Sequence, residues 1–235
     1  MKSLDPSHIT YSVLDSGPTI GEYTTVSESL GLDPYPWSGV GSNLTTMVPE
    51  LQDLIGSIKG KDKRTSVCVT QIFGWKDYCG DNNECNQTGM ANKTEPPAKA
   101  KRAMAFAALT LGCRGLLLYS YYDLYETAGR ARAPEAVITQ RLADLKALGL
   151  EVKGYEKEFL GEIADEKLDV SGLPAGAVAG LRCAKEGAGG VEASECTLFV
   201  VNLQAVEQSA KVMVPTPQNI APSKSVKLPC LWVYL

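Results

Sequence analysis

Gly115-Leu-Leu-Leu-Tyr-Ser-Tyr121 is a run without a single charge. It is too continuously apolar for a strand with one wet face, and it reads as a strand of a parallel sheet covered on both sides. Just before it lies an Ala-rich helix. Thr94 is placed to cap it, Pro96 and Pro97 fall in its first turn, Met104, Ala108 and Leu111 share one face, and Gly112 is its stop. Before that helix stands Ser66-Val-Cys-Val-Thr-Gln-Ile-Phe73, a second strand apolar on both faces. Strand, helix, strand is the sign of a parallel sheet under helices.

The same alternation continues in both directions. Thr10–Leu14 reads as a strand, Gly21–Glu28 as a short amphipathic stretch, and Ser29-Leu-Gly-Leu-Asp33 as a strand stopped by Pro34 and Pro36. A helix with Pro49 in its first turn runs to about Ile58, with Gly60 as its stop. Its apolar stripe is Met47, Val48, Leu51, Leu54, Ile55 and Ile58. On the other side Pro134 opens a helix with Ile138, Leu142, Leu145 and Leu148 inward and Gly149 as its stop. After about Lys167 the pattern changes. Val178–Cys183, Cys196–Asn202, Lys211–Val214 and Ser225–Tyr234 read as short antiparallel strands of a β-sandwich-like module. The expected organisation is an α/β unit over residues 1–165 and a small β module over 166–235.

Composition narrows the function. A net charge of −4 gives no affinity for a phosphate backbone, so no nucleic-acid partner is expected. No apolar stretch approaches the roughly 20 residues that span a bilayer, and the first residues carry no signal-peptide h-region. Neither GxGxxG nor a P-loop is present, so no nucleotide cofactor is expected. Among the seven cysteines no CxxC occurs, and no metal is expected. Cys79 and Cys85 bracket a short polar loop and Cys183 and Cys196 flank a Gly-rich turn, so both pairs read as disulfides. Cys68 and Cys113 sit in apolar runs and read as buried thiols. Three sequons, at Asn43, Asn86 and Asn92, together with the expected disulfides favour a secreted or secretory setting.

Several segments, in order, carry a family likeness: Leu4-Asp-Pro-Ser-His8, Gly31-Leu-Asp-Pro-Tyr-Pro-Trp37, Gln71-Ile-Phe-Gly-Trp75, Ala103-Met-Ala-Phe106 and Gly112-Cys-Arg-Gly-Leu-Leu-Leu-Tyr-Ser-Tyr121. In this order and spacing they resemble the second half of glycoside-hydrolase-like TIM barrels, β-galactosidase-like and uncharacterised bacterial-type members included. The resemblance covers about residues 4–160 and implies a partial (β/α)8 barrel, its strands equivalent to the fifth to eighth, with a β domain following. A complete barrel takes about 250 residues. A four-stranded part would expose two strand edges and its inner face, so the chain is expected to associate with a second copy or with a preceding barrel half.

Glycoside hydrolysis needs two carboxylates across the scissile bond. The resemblance implies an acid/base after the fourth strand, which this chain does not supply, and a nucleophile at the end of the seventh, where Gln71 stands. Gln71 cannot form a glycosyl ester, and the loop residue Asp77 reads as a cap. The carboxyl rim remains as a surface for carbohydrate. Asp33, Tyr35 and Trp37 end one strand, Gln71 and Trp75 the next, and Tyr119, Tyr121 and Asp123 the last. Aromatic faces stack on sugar rings while Asp and Gln bond hydroxyls. Tyr35 and Tyr119 also suit pure packing. His8, the sole histidine, precedes the first strand and reads as a turn anchor. The expected function is a glycoside-hydrolase-like unit inactive alone; the alternative is a non-catalytic carbohydrate-binding or structural remnant that self-associates.

Overall fold

The computed structural model describes residues 7–15, 20–59, 65–78, 93–127, 131–163, 168–183, 196–204, 208–213, 224–228 and 233–234. The elements in chain order begin β1 (Tyr11–Leu14), α1 (Ile20–Tyr23), β2 (Ser29–Leu32), α2 (Met47–Ile58), β3 (Thr65–Gln71), α3 (Ala98–Leu111) and β4 (Gly115–Tyr119). These four strands form one parallel sheet in chain order, β1-β2-β3-β4. The expected α/β architecture is therefore present. The Cys79–Cys85 pair, Gly60 and the sequons at Asn86 and Asn92 lie outside the described residues.

One face of the sheet is packed. Leu30, Leu32 and Cys68 meet Leu51 and Leu54 of α2 and Ala103, Met104 and Ala107 of α3 in a single apolar cluster. The small side chains of α3 allow close approach. The other face is partly open. Strand periodicity and register put Tyr11, Val13, Gly31, Val67, Val69, Gln71, Leu117 and Tyr119 on it, and of these Val69 and Gln71 are buried. Tyr11 is 36%, Val13 41%, Leu117 45% and Tyr119 44% exposed. Gly31 has a steric reason, because a Cβ there would lie 2.2 Å from the Tyr11 hydroxyl, which crosses β2 to donate to the Val67 carbonyl at 2.8 Å. The outer edges of β1 and β4 pair with no strand among the described residues. Two-sided cover for β4, expected from its apolar run, is thus corrected: among the described residues it is an edge strand with one face largely uncovered.

Past β4 come the ribbon β5 (Glu126–Thr127) and β6 (Ala131–Arg132), α4 (Glu135–Gly154) and α5 (Glu156–Phe159). Helix α4 runs through Gly149, which does not stop it; nothing lies within 4 Å of a Cβ there, and an exposed glycine costs a helix only about 1 kcal/mol. Leu142 is exposed, not inward, while Ile138 and Leu148 are buried. Helix α3 begins at Ala98 with Pro97 as its extended N-cap, so Thr94 is not the cap and neither proline is in the first turn. Pro97 disfavours a helical Pro96 before it, which fixes the start.

The remaining strands are β7 (Glu162–Ile163), β8 (Asp169–Gly172), β9 (Ala177–Cys183), β10 (Cys196–Asn202), β11 (Gln208–Met213), β12 (Lys224–Leu228) and β13 (Val233–Tyr234). They form two antiparallel sheets, β13-β10-β9-β7 and β12-β11-β8. The first sheet lies on α3. Val178, Phe199, Val201 and Leu203 join the same apolar cluster, and Phe199 stacks on Phe159 with centroids 4.4 Å apart. A Cβ on Gly180 would come 2.4 Å from the Thr110 carbonyl oxygen, so the strand–helix approach needs glycine. The fully buried Arg182 donates to that same carbonyl.

Cys183 and Cys196 face one another in the β9–β10 ladder and are bonded, as expected. Cys68 and Cys113 are bonded too, with Cα atoms 6.0 Å apart, which corrects their reading as thiols. They are 45 residues apart, and the β3–α3–β4 unit brings them together by returning the chain beside β3. No described helix is long and apolar enough to cross a membrane.

Candidate binding site

The carboxyl ends of the parallel strands carry an aromatic nest. Tyr35 stacks on Tyr119 at 5.8 Å and meets the edge of Phe73 at 5.0 Å and of Trp75 at 6.2 Å. Phe73 is its buried hub, touching Trp75 at 5.0 Å, Tyr78 at 4.9 Å and Tyr119 at 5.9 Å. Such edge and offset contacts suit the ring quadrupoles and fix the rings relative to one another.

Gln71, at the end of β3, is fully buried under this nest. Its Oε1 accepts from the Trp37 amide at 2.9 Å, and its Nε2 donates to the carbonyls of Trp37 at 2.9 Å and Phe73 at 3.1 Å. The whole amide is thus engaged with backbone. It ties the segment after β2 to the one after β3, which sets where Tyr35 and Trp75 stand.

Asp33 follows β2, its amide donating to the Leu14 carbonyl at 3.2 Å. Its side chain is hydrogen-bonded by Tyr35, yet Oδ1 is buried with no hydrogen-bond partner among the described residues. Burial pushes its pKa up, with the Tyr35 hydrogen bond opposing. The Tyr35 phenol is driven up as well, by burial and by the Asp33 charge, and the Tyr11 phenol is pushed up to about 12 by the same two causes. Glu50, in the first turn of α2, is raised by burial and then by Asp33 and Asp53. Asp33, Glu50 and Asp15 line a hollow of about 330 Å³ walled by Tyr35, Pro36 and Trp75.

The other expected site residues lie elsewhere. Trp37 donates its indole N–H to the Thr94 carbonyl at 2.9 Å and lines a different hollow, of about 410 Å³, between the start of α3 and Leu203 of the β module. Tyr121 is exposed among Tyr122 and Tyr125, with centroids 6.1 and 5.1 Å away. Asp123 is buried and accepts from the Tyr78 hydroxyl at 3.1 Å and from Ser120 Oγ, so it positions Tyr78. Asp77 accepts from the Gly74 amide at 3.2 Å, a cap as read, with its pKa raised chiefly by burial. Below them Glu95 pairs with Arg141 at 2.7 Å and with the buried Lys101 at 3.8 Å. Asn43 is exposed, its Oδ1 accepting from the Thr45 amide and hydroxyl. His8 is exposed beside Ser7, whose Oγ is 3.2 Å from its Nδ1.

Sequence reasoning assigned no site role to Phe73, Tyr78, Asp15 or Glu50. Phe73 was within reach, since it lies inside the Gln71–Trp75 segment, where a large apolar residue beyond a strand end needs a partner. Glu50 was not, because an acid in a helix's first turn already has a dipole reason to be there.

Together these features define an α/β chain with a four-stranded parallel sheet, an aromatic and acidic surface at its carboxyl end, and an antiparallel β module. No protein-family model matches the chain, and no curated protein matches it. Among solved structures the chain is similar to Eubacterium rectale Amy13B, with a TM-score of 0.44 and 13% identity over 99% of this chain and 54% of that one. The chain spans about half the length of that protein.

Proposed function

We propose that the chain is a glycoside-hydrolase-like carbohydrate-active unit that binds sugar on the Tyr35–Trp75–Tyr119 surface and does not hydrolyse it unaided. The observation that supports this most is the engagement of Gln71. A nucleophile would have to stand there, and the amide is bonded to backbone on all sides. The aromatic nest and Asp33 need no carboxylate pair in order to bind. Catalysis would require an acid/base and a nucleophile from outside the described rim. A secreted setting, with sugar on Asn43, Asn86 and Asn92, completes the proposal; the two disulfides support an oxidising compartment.

The test uses the purified chain. Aryl glycosides should not be turned over, and disaccharides should quench tryptophan fluorescence with a Kd of about 1 mM, worth about 4 kcal/mol. Trp75→Ala should abolish binding. Turnover that persists in Gln71→Ala and is lost in Asp33→Ala would overturn the reading and move the chemistry to the end of β2.

The open face favours a second reading. Tyr11, Val13, Leu117 and Tyr119 expose an apolar surface between two unpaired strand edges, a combination that drives association. On this reading a second copy or a preceding barrel half covers the face. Sedimentation at micromolar concentration should give a dimer or larger; a monomer would overturn it.

A further inference from the structure

The helix-covered side of the sheet is not filled over β4. Between α3, β4, α4 and α5 lies a half-open hollow of about 360 Å³. Leu109 of α3, Leu116 and Leu118 of β4, and Leu148 and Val152 of α4 form its walls. Leu116, Leu118 and Val152 are left only partly buried by it. Packed interiors hold few voids larger than a water molecule, so this space is more than loose packing. It falls at the small end of the about 300–1,000 Å³ of ligand pockets. An apolar cavity of about 150 Å³ takes a benzene, so this one has room for an alkyl tail of roughly ten carbons. Gly149 of α4 lines it too, and a Cβ there would meet nothing within 4 Å.

One end of the hollow carries a charge that the described chain does not pair. Arg114 lines it, and its Nη1 donates to the carbonyls of Phe159 at 2.7 Å and Gly161 at 2.5 Å. Phe159 and Leu160 are also part of the lining, so these bonds hold the guanidinium at the end of α5, beside the hollow. Nε and Nη2 have no hydrogen-bond partner among the described residues, and Arg114 forms no ion pair among them. The charge acting on Arg114 is a second cation, the fully buried Arg182; burial first, and that charge second, push the Arg114 pKa down. At the mouth Lys153 and Glu156 pair with each other and cancel. The lining is therefore apolar with one unmatched positive charge. The Nε–Nη2 edge of a guanidinium presents two parallel N–H groups, the fork that takes a carboxylate bidentately.

We propose that this hollow binds a medium-chain aliphatic carboxylate, with its tail against Leu116, Leu118, Leu148 and Val152 and its carboxylate on the Nε–Nη2 edge of Arg114. A sugar would leave its hydroxyls unpaired against leucines. A cationic amphiphile would meet Arg114 with like charge. The site is separate from the aromatic rim, because Leu116 and Leu118 point to the helix side of β4 and Tyr119 to the other.

The experiment is calorimetry on the full chain at about neutral pH with decanoate, decanol, decyltrimethylammonium and acetate, the amphiphiles kept below their micelle concentrations. Decanoate should bind about tenfold more tightly than decanol, since a charge-assisted pair is added to the same tail. Acetate and decyltrimethylammonium should give no heat of binding at the same concentrations. Arg114→Gln should bring the ratio of decanoate to decanol affinity to about one and leave decanol binding in place. Because Arg114 also ties down the end of α5, a second variant carries the test if that one fails to fold. Gly149→Leu has open space for its side chain and improves the helix, and it should weaken decanoate and decanol alike by about tenfold. Equal affinity of decanoate and decanol for the parent chain would overturn the proposal, as would decyltrimethylammonium binding as tightly as decanoate. Decanoate binding unchanged in Gly149→Leu would place the ligand elsewhere and overturn it too. So would the absence of binding by every probe; if Gly149→Leu then turned a dimer into a monomer in sedimentation, the occupant would be a second copy.

Discussion

The two faces of the parallel sheet are made of similar residues and have opposite fates. Leu30 and Leu32 of β2 point under α2 and α3 and are fully buried, whereas Leu117 and Tyr119 of β4 point to the other side and stand nearly half exposed. Hydrophobicity does not distinguish them. Cover does: the helices and the β module stack on one side, whereas on the other the loop rings cover only part of the carboxyl end, where Tyr35 stacks on Tyr119 and Gln71 is buried. An apolar strand therefore announces that it needs a partner on each face without saying whether the chain supplies both.

The sharpest test of that contrast is a pair of truncations. Leu32→Ala removes a fully buried side chain and should cost about 4 kcal/mol in denaturant unfolding. Leu117→Ala, on the uncovered face, should stay within about 0.5 kcal/mol, as surface changes do. If Leu117→Ala cost as much as Leu32→Ala, the open face would be covered in solution. The penalty should then depend on protein concentration, as an association equilibrium requires.

The contrast also marks what could be read in advance. All four parallel strands were visible as apolar runs, and α2 through its 3.6-residue stripe, because local pattern decides these elements. The Cys183–Cys196 bond was visible because a hairpin places its ends together. The Cys68–Cys113 bond was not, since the two cysteines lie 45 positions apart and their contact exists only once β3 and β4 are paired. The rim was legible as a list of residue types at strand ends and illegible as an arrangement. Asp33, Tyr35, Trp75 and Tyr119 come together, while Trp37 and Tyr121 sit apart and Asp123 is spent on Tyr78 and Ser120. Strand position gives the end of the sheet, but the loops beyond it decide where each ring falls.

Gln71 shows how an amide in place of a carboxylate is more than a lost nucleophile. Its Nε2 serves two carbonyls, those of Trp37 and Phe73, that no carboxylate can serve. Gln71→Glu should therefore lower stability at neutral pH by about 3 kcal/mol, since it buries a charge against two acceptors. The penalty should fall as acid protonates the new carboxyl, because a neutral acid donates once. Unfolding midpoints across pH give the answer. A variant as stable as the parent at neutral pH would mean that the ties between the loops after β2 and β3 are dispensable.

The smallest expected effect belongs to Asp33, at the carboxyl end of β2, and its sign is what matters. Burial raises its pKa in the folded chain above the unfolded value. Such a group binds its proton more tightly when folded, so its contribution to stability is fully present below the unfolded pKa and is lost as pH rises through the folded one. At neutral pH the ionised Asp33 opposes folding. Asp33→Asn should then gain stability at neutral pH and gain nothing in acid, where the parent carboxyl is already neutral. The gain should be a fraction of a kcal/mol, because solvent at the mouth of the hollow screens the charge. The same residue would thus be mildly harmful to the fold, as expected of a side chain kept for binding rather than for packing. A loss of stability in Asp33→Asn at every pH would instead make its bond with Tyr35 structural.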